Sequence, residues 1–162
     1  MPYSEMPEMN SLGDFFNSDD KAKLLSSVWS PGDVYGLLLN EDNGITPHEG
    51  EDARYKYFIV LGIDAEGNIY GGVVINSKIN PNQNPRLKLF HYPLSHLKYS
   101  FLKKNSFVNC VSLQTVMATT LAQGNLLGHI DDEDLALIKQ TVVCSGVIPV
   151  VRLKQFGLII KE

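Results

Sequence analysis

Cysteine is scarce in this sequence of 162 residues, and its few histidines form no recognisable ligand pattern. The two cysteines, Cys110 and Cys144, lie far apart in apolar surroundings and match no zinc-binding spacing. We therefore expect two buried, reduced thiols and no disulfide framework. The four histidines are scattered and include no HExxH pattern, so the sequence predicts neither a metal site nor a cofactor.

Long apolar runs are also missing. No stretch approaches the roughly 18 consecutive apolar residues that a membrane span requires. The first ten residues, MPYSEMPEMN, are acidic, whereas a signal peptide begins with a basic and then an apolar segment. With 44% hydrophobic and 20% charged residues, the composition is that of a globular domain. We expect a soluble cytoplasmic protein that has no membrane partner.

Acidic residues are absent from the middle of the chain. Residues 1–66 carry thirteen acids and four bases, residues 67–130 carry six bases and no acid, and residues 131–162 carry five acids and four bases. The bases of the acid-free segment are Lys78, Arg86, Lys88, Lys98, Lys103 and Lys104. They predict either a cationic surface that attracts phosphate or a solvated sheet rim whose lysines discourage edge pairing.

The apolar pattern changes from helical to strand spacing after residue 30. Ser18 followed by two aspartates favours a helix start, and an apolar stripe of Leu24, Leu25, Val28 and Trp29 follows. Apolar runs then predict five strands, over residues 34–39, 57–63, 69–75, 87–92 and 107–113. The strand over 57–63 is almost wholly apolar and is expected to be central.

The last third of the chain has helical spacing. A helix is predicted over residues 115–122, and a second begins at the acidic residues 131–134, buries Leu135, Ile138 and Val142, and ends at Gly146. The predicted fold class is therefore mainly β, with a small, strongly curved antiparallel sheet or barrel flanked by N-terminal and C-terminal helices. We expect residues 1–30 to form a tail and a helix, and residues 31–162 to form the barrel domain with its C-terminal helix.

The order of these segments resembles the PemK/MazF family of toxin-like proteins. PGDVYGLLL, a loop that ends in a base, and the apolar strand YFIVLG match the start of that family. VNCVSLQTV and LLGHIDDEDLALI are similar to its valine-rich strand that ends in Gln, its Leu-Gly turn and its acidic helix start. These features correspond to Gln114, to residues 127–128 and to residues 131–134, and the resemblance covers roughly residues 31–143.

The resemblance implies a fold and an activity. Members of the family have an SH3-like barrel with a C-terminal helix and usually form a homodimer, and an antitoxin-like protein is a further partner. They are metal-independent endoribonucleases that cleave single-stranded RNA. The ribose 2′-hydroxyl attacks the adjacent phosphate and leaves a 2′,3′-cyclic phosphate, so the enzyme must stabilise a phosphorane that gathers negative charge.

Two residues would carry the catalytic site that the resemblance implies. The family's Arg follows the first loop directly before the apolar strand, where Arg54 lies, although Lys56 fits the same place. Ser77 holds the place of the family's hydroxyl residue, after the third strand. A guanidinium matches two phosphate oxygens, and the hydroxyl can bond to the same phosphate. The implied RNA-binding residues are Lys56, Lys78, Arg86, Lys88 and Gln114.

A second hypothesis is a non-catalytic SH3-like module that binds a protein partner or nucleic acid. The acidic loop between the first two strands favours it, because its carboxylates oppose phosphate. Those acids are Glu41, Asp42, Glu49, Glu51 and Asp52. The acid-free basic segment favours the ribonuclease.

Overall fold

The structure, a computed structural model, describes residues 18–160 and contains seven strands and five α-helices within that range. The strands are β1 (Asp33–Leu39), β2 (Arg54–Ile63), β3 (Ile69–Asn76), β4 (His91–Leu94), β5 (Ser106–Asn109), β6 (Gln114–Met117) and β7 (Asn125–His129). The helices are α1 (Ser18–Val28), α2 (Pro85–Lys88), α3 (Ala118–Leu121), α4 (Asp132–Cys144) and α5 (Val150–Gln155). The predicted N-terminal tail that precedes α1 lies outside the described residues.

All seven strands join one antiparallel sheet, in the order β4-β5-β3-β2-β1-β7, with β6 also paired to β3. Strand β3 pairs with β6 near its start and with β5 near its end, so the sheet divides there. The described sheet does not close, because β4 and β7 remain at its ends. The mainly β class with flanking helices is confirmed, whereas the strand pairing does not confirm a barrel.

Helices cover both faces of the sheet. Along the central strand β2, Ile59 and Leu61 belong to one apolar cluster, and Phe58 and Val60 belong to the other, as the alternation of a strand requires. The first cluster includes residues of α4 and α5, and the second includes residues of α1 and α3. The prediction that the strand over residues 57–63 is central is confirmed, and apolar clusters cover both of its faces.

Helix α4 agrees with its prediction. Its N-cap is Asp131, whose side chain accepts a hydrogen bond of 2.8 Å from the backbone N–H of Asp134. Leu135, Ile138 and Val142 are buried, as their spacing predicted. Cys110 is buried, but Cys144 is exposed, and that prediction is wrong. Two positions beyond Val142 on a helix, Cys144 faces away from the sheet.

The predicted apolar stripe of α1 is only partly buried. Leu25 is buried, and Trp29 meets the ring of Tyr70 edge-on at a centroid distance of 5.3 Å. Leu24 and Val28 are exposed instead. The helix packs against α3 rather than lying flat on the sheet, so only a narrow line of its surface is covered.

Three predicted segments are wrong in their bounds or type. Residues 87–92 begin as helix α2, because the Asn84 side chain caps its first turn and Pro85 follows at the first helical position. Within residues 107–113 only the start is a strand, since β5 ends at Asn109. Residues 115–117 belong to strand β6 rather than to a helix, because they pair with β3. Strand β7 was not predicted.

Candidate functional site

An open groove of about 710 Å³ lies beside the start of β2 and the end of β3. Arg54 and Lys56 line it from β2, and Ser77 and Lys78 line it from the segment that follows β3. The structure therefore brings the two predicted catalytic residues, Arg54 and Ser77, into one groove. A loop between β4 and β5 contributes the groove's remaining lysines, Lys103 and Lys104.

Strand register explains why residues distant in sequence meet here. Strands β2 and β3 are antiparallel, and Tyr57 lies opposite Ile75. The first residues of β2 therefore lie beside the last residues of β3, at one end of the sheet. Ser77 and Lys78 follow β3 directly, so the chain leaves the sheet at the place where Arg54 enters it.

The groove is cationic. Arginine or lysine occupies five lining positions, and within the described part of the chain no aspartate or glutamate lines the groove. The start of the acidic loop is held elsewhere, because Asn43 donates a hydrogen bond of 3.0 Å to the backbone oxygen of Thr115 in β6. Glu41 and Asp42 form a 3-10 helix there with Asn43. The arrangement suits an anionic ligand.

Lys56 is the most unusual residue of the groove. Its side chain is buried, with only 9% of the residue exposed, and its Nζ donates a hydrogen bond to Oδ1 of Asn76. The described residues place no carboxylate in ion-pair contact with it. Burial lowers the pKa of Lys56, and the neighbouring charge of Arg54 lowers it further. A buried ammonium without a counter-ion is costly, and a bound anion would supply one.

His91 forms part of the groove wall, a placement that the sequence did not reveal. Its Nε2 lies 2.7 Å from Oε1 of Gln83, and Nδ1 is enclosed without a hydrogen-bond partner. With Gln83 Oε1 as the acceptor, Nε2 carries the proton. Burial lowers the pKa of His91, which favours the neutral ring.

Two tyrosines of β2 also line the groove, Tyr55 and Tyr57. Tyr55 is 52% exposed, whereas Tyr57 packs against one of the two apolar clusters. The strand predicted over residues 57–63 includes Tyr57 but begins after Tyr55. The available signal was position along the strand, since Tyr55 lies near the start of β2 and the later residues of the strand are buried.

Three predicted RNA-binding residues lie outside this groove. The Arg86 guanidinium donates a bond of 3.3 Å to the backbone oxygen of Ser145. The Lys88 ammonium donates one of 2.7 Å to the backbone oxygen of Pro81. Gln114 is 2% exposed and donates a bond of 2.7 Å to Oγ of Ser112. All three side chains make hydrogen bonds within the fold.

Comparisons with known proteins add no family to these observations. No model of a protein family matches the chain, and no curated protein is significantly similar to it.

Among the described helices, none has the length and apolar character needed to cross a membrane. Within residues 18–160, no three His, Cys, Asp or Glu side chains cluster in a way that could hold a metal ion.

Proposed function

We propose that the groove binds the phosphodiester backbone of single-stranded RNA, and that the protein is a PemK/MazF-like endoribonuclease. The observation that carries the proposal is that Arg54, Lys56 and Ser77 line one groove whose described lining contains no carboxylate. A phosphate entering the groove meets cations and a hydroxyl, and is repelled by no neighbouring carboxylate of the lining.

The groove offers a group for each step of a metal-independent cleavage. The Arg54 fork contacts two oxygens of the phosphorane, and the Ser77 hydroxyl donates a hydrogen bond to the same phosphate. Lys56, in its neutral form, accepts the proton of the ribose 2′-hydroxyl as O2′ attacks phosphorus. The bond from phosphorus to O5′ then breaks, O5′ takes a proton from water, and a 2′,3′-cyclic phosphate remains.

Family membership is part of the same proposal. On this proposal the open, divided sheet is a divergent form of the SH3-like barrel. The proposed partners are a second copy of the chain and an antitoxin-like protein. The support for these partners is the order of motifs along residues 31–143, whereas the support for RNA is the groove.

The activity test uses the full chain and single-stranded RNA of mixed sequence in the presence of a chelator. We expect products with 2′,3′-cyclic phosphate ends and at least a hundredfold slower cleavage by Arg54→Ala, because removal of such a stabilising donor costs about 3 kcal/mol. Arg152→Ala is the matched control, since Arg152 lies in α5 and contacts Gln155. RNA that stays intact across several sequences would contradict the enzymatic proposal.

A second candidate function is RNA binding without cleavage. Histidine is the side chain that most often transfers protons in enzymes, and His91 is the histidine that lines the groove. Its Nε2 is bonded to Gln83 and its Nδ1 is enclosed, so neither ring nitrogen is free to transfer a proton to RNA, which favours binding alone. In that case RNA binds with an affinity that falls steeply as salt is raised, and the strand is recovered uncut.

A further inference from the structure

An exposed aromatic ring stands at the rim of the cationic groove. Tyr55 lies between Arg54 and Lys56 in the sequence, lines the groove with them, and is 52% exposed. Its cross-strand neighbour on β1 is Leu38, which is 67% exposed. Tyr55 and Leu38 therefore form an exposed apolar pair, of which Tyr55 lines the groove.

Neighbouring groups hold the ring in place. Tyr55 meets the ring of Tyr57 edge-on, at a centroid distance of 6.0 Å and an interplanar angle of 85°. Tyr57 in turn lies 6.2 Å from Phe101, and Phe101 lies 5.8 Å from the buried Tyr99. The chain of rings ties the exposed tyrosine to the core, so little conformational entropy is lost when a ligand covers it.

A glycine makes room for the ring on the adjacent strand. At Gly36 of β1, a Cβ atom would lie 1.8 Å from Oη of Tyr55, which shows that the phenol extends across this position. The φ angle of Gly36 is not positive, so its backbone does not require glycine. Because Gly36 has no side chain, the phenol of Tyr55 can occupy the space above it.

We infer that Tyr55 stacks against an unpaired base of the RNA strand whose phosphate is held by Arg54 and Lys56. The inference rests on the proposed function and adds a base contact by Tyr55 to the phosphate contacts of the groove. Each nucleotide of a single strand carries a charged phosphate and a planar base, and cationic grooves with aromatic platforms bind such strands without regard to sequence. In a duplex the bases are stacked internally and cannot cover the tyrosine.

The inference is tested by the affinity of a short fluorescent single-stranded RNA, measured by anisotropy as salt is varied. Stacking on one base contributes about 1–3 kcal/mol, so we expect Tyr55→Ala to weaken binding between 5-fold and 150-fold. The dependence of affinity on salt should be unchanged, because no cation is lost. Tyr55→Phe and Tyr55→Trp should bind within threefold of the original protein.

Three further samples make the test specific. Gly36→Ala keeps the phenol but displaces it, and should weaken binding in the same direction as Tyr55→Ala. Leu97→Ala removes an 87% exposed leucine outside the groove and should change nothing. A strand of the same length with abasic sugars should bind to the original protein and to Tyr55→Ala equally, because it offers phosphates without bases.

The outcomes separate the two proposals. If RNA is bound or cleaved and Tyr55→Ala retains full affinity, the stacking inference is overturned and the ribonuclease proposal stands. The inference is equally overturned if Tyr55→Ala weakens binding of the abasic strand as much as that of RNA. If the original protein binds no RNA at low salt, both proposals fail.

Discussion

Lys56 donates a hydrogen bond from Nζ to Oδ1 of Asn76, a neutral acceptor in the adjacent strand β3, and meets no carboxylate among the described residues. One amide oxygen satisfies one of the three N–H groups that a lysine ammonium carries. The buried charge therefore opposes folding until an anion arrives. Stability and function are expected to conflict at this position.

Lys56→Gln should accordingly stabilise the protein while weakening its affinity for RNA. We expect a free energy of unfolding at pH 7 about 1 kcal/mol higher than that of the original protein, because a neutral amide replaces an uncompensated buried cation. The measurement is urea unfolding without ligand. Because the pKa of Lys56 is lower in the folded chain, the folded state binds fewer protons than the unfolded state between that pKa and about 10.4.

Within that window the stability of the original protein rises with pH, so the advantage of Lys56→Gln should shrink towards alkaline pH. Ser77→Ala is a suitable control, since Ser77 is exposed and carries no charge. A variant less stable than the original protein at pH 7 would contradict the prediction.

The pH dependence of cleavage distinguishes a proton acceptor from a simple charge at Lys56. A neutral amine is required for the first step, so the rate should rise as pH rises towards the pKa of Lys56, which burial places below its usual range. Lys56→Arg keeps the positive charge but remains protonated. We expect it to bind RNA and to lose this pH-dependent rise together with most of the rate. An unchanged pH profile would assign the proton transfer to another group.

Lys103 and Lys104 should act through charge alone. Both are exposed and line the groove from the β4–β5 loop. If each contacts one phosphate, the double alanine variant should reduce the slope of log affinity against log salt by about 1.4 for a single strand. Lys23→Ala, on the exposed surface of α1, should leave the slope unchanged. The prediction fails if the double variant retains the original slope.

The sequence alone predicted the part of the candidate site that β2 and β3 contribute. The part contributed by the β4–β5 loop depends on tertiary pairing. Arg54 and Ser77 lie at the ends of two neighbouring strands, so a hairpin-like order was enough to bring them together. The groove partners from the β4–β5 loop could be identified only as part of an acid-free segment. Their position depends on β5 pairing with β3, which is a contact between residues more than thirty positions apart.

The fold was predictable where apolar runs are long and failed where segments are short. Strands β1, β2 and β3 and helices α1 and α4 have strong periodicity and were found close to their actual bounds. Strand β6 carries Thr115 and Val116, whose neighbours suggested a helix, and it became a strand because it pairs with Gly71 and Tyr70 of β3. Strand β7 has only five residues and depends on pairing with β1.

Helix α5 is fixed to the sheet by a phenylalanine set against two glycines. Phe156 follows α5 and is buried, with 3% of the residue exposed. A Cβ atom at Gly62 would lie 2.1 Å from the backbone oxygen of Phe156, and one at Gly71 would lie 2.5 Å from its ring. We expect Gly62→Ala to destabilise the protein by about 1–3 kcal/mol, because the backbone cannot yield as a flexible side chain would. Urea unfolding measures the change, with the exposed Val151→Ala as control. Unaltered stability of Gly62→Ala would show that the segment after α5 shifts freely.

A carboxylate joins the β4–β5 region to helix α4. Asp134 accepts hydrogen bonds of 2.5 Å from the hydroxyls of both Tyr92 and Tyr99, and its other contact is an ion pair of 2.8 Å with Lys98. Partial burial raises the pKa of Asp134, but hydrogen bonds from Lys98 and the two tyrosines outweigh it and hold the pKa at about 2. The folded state therefore favours the ionised carboxyl.

The expected consequence is a loss of stability in acid that requires Asp134. An unfolded aspartate has a pKa of about 3.9, so the contribution of Asp134 is complete above that pH and disappears as pH falls towards about 2. Asp134→Asn should be about 2 kcal/mol less stable than the original protein at pH 7, and the difference should shrink between pH 4 and pH 2, as measured by urea unfolding. Asp132→Asn, at an exposed position in the same helical turn, should show no such convergence. If the stability difference between Asp134→Asn and the original protein stays constant down to pH 2, the prediction is wrong. The destabilisation would then arise from the fit of the asparagine and not from loss of the ionised carboxylate.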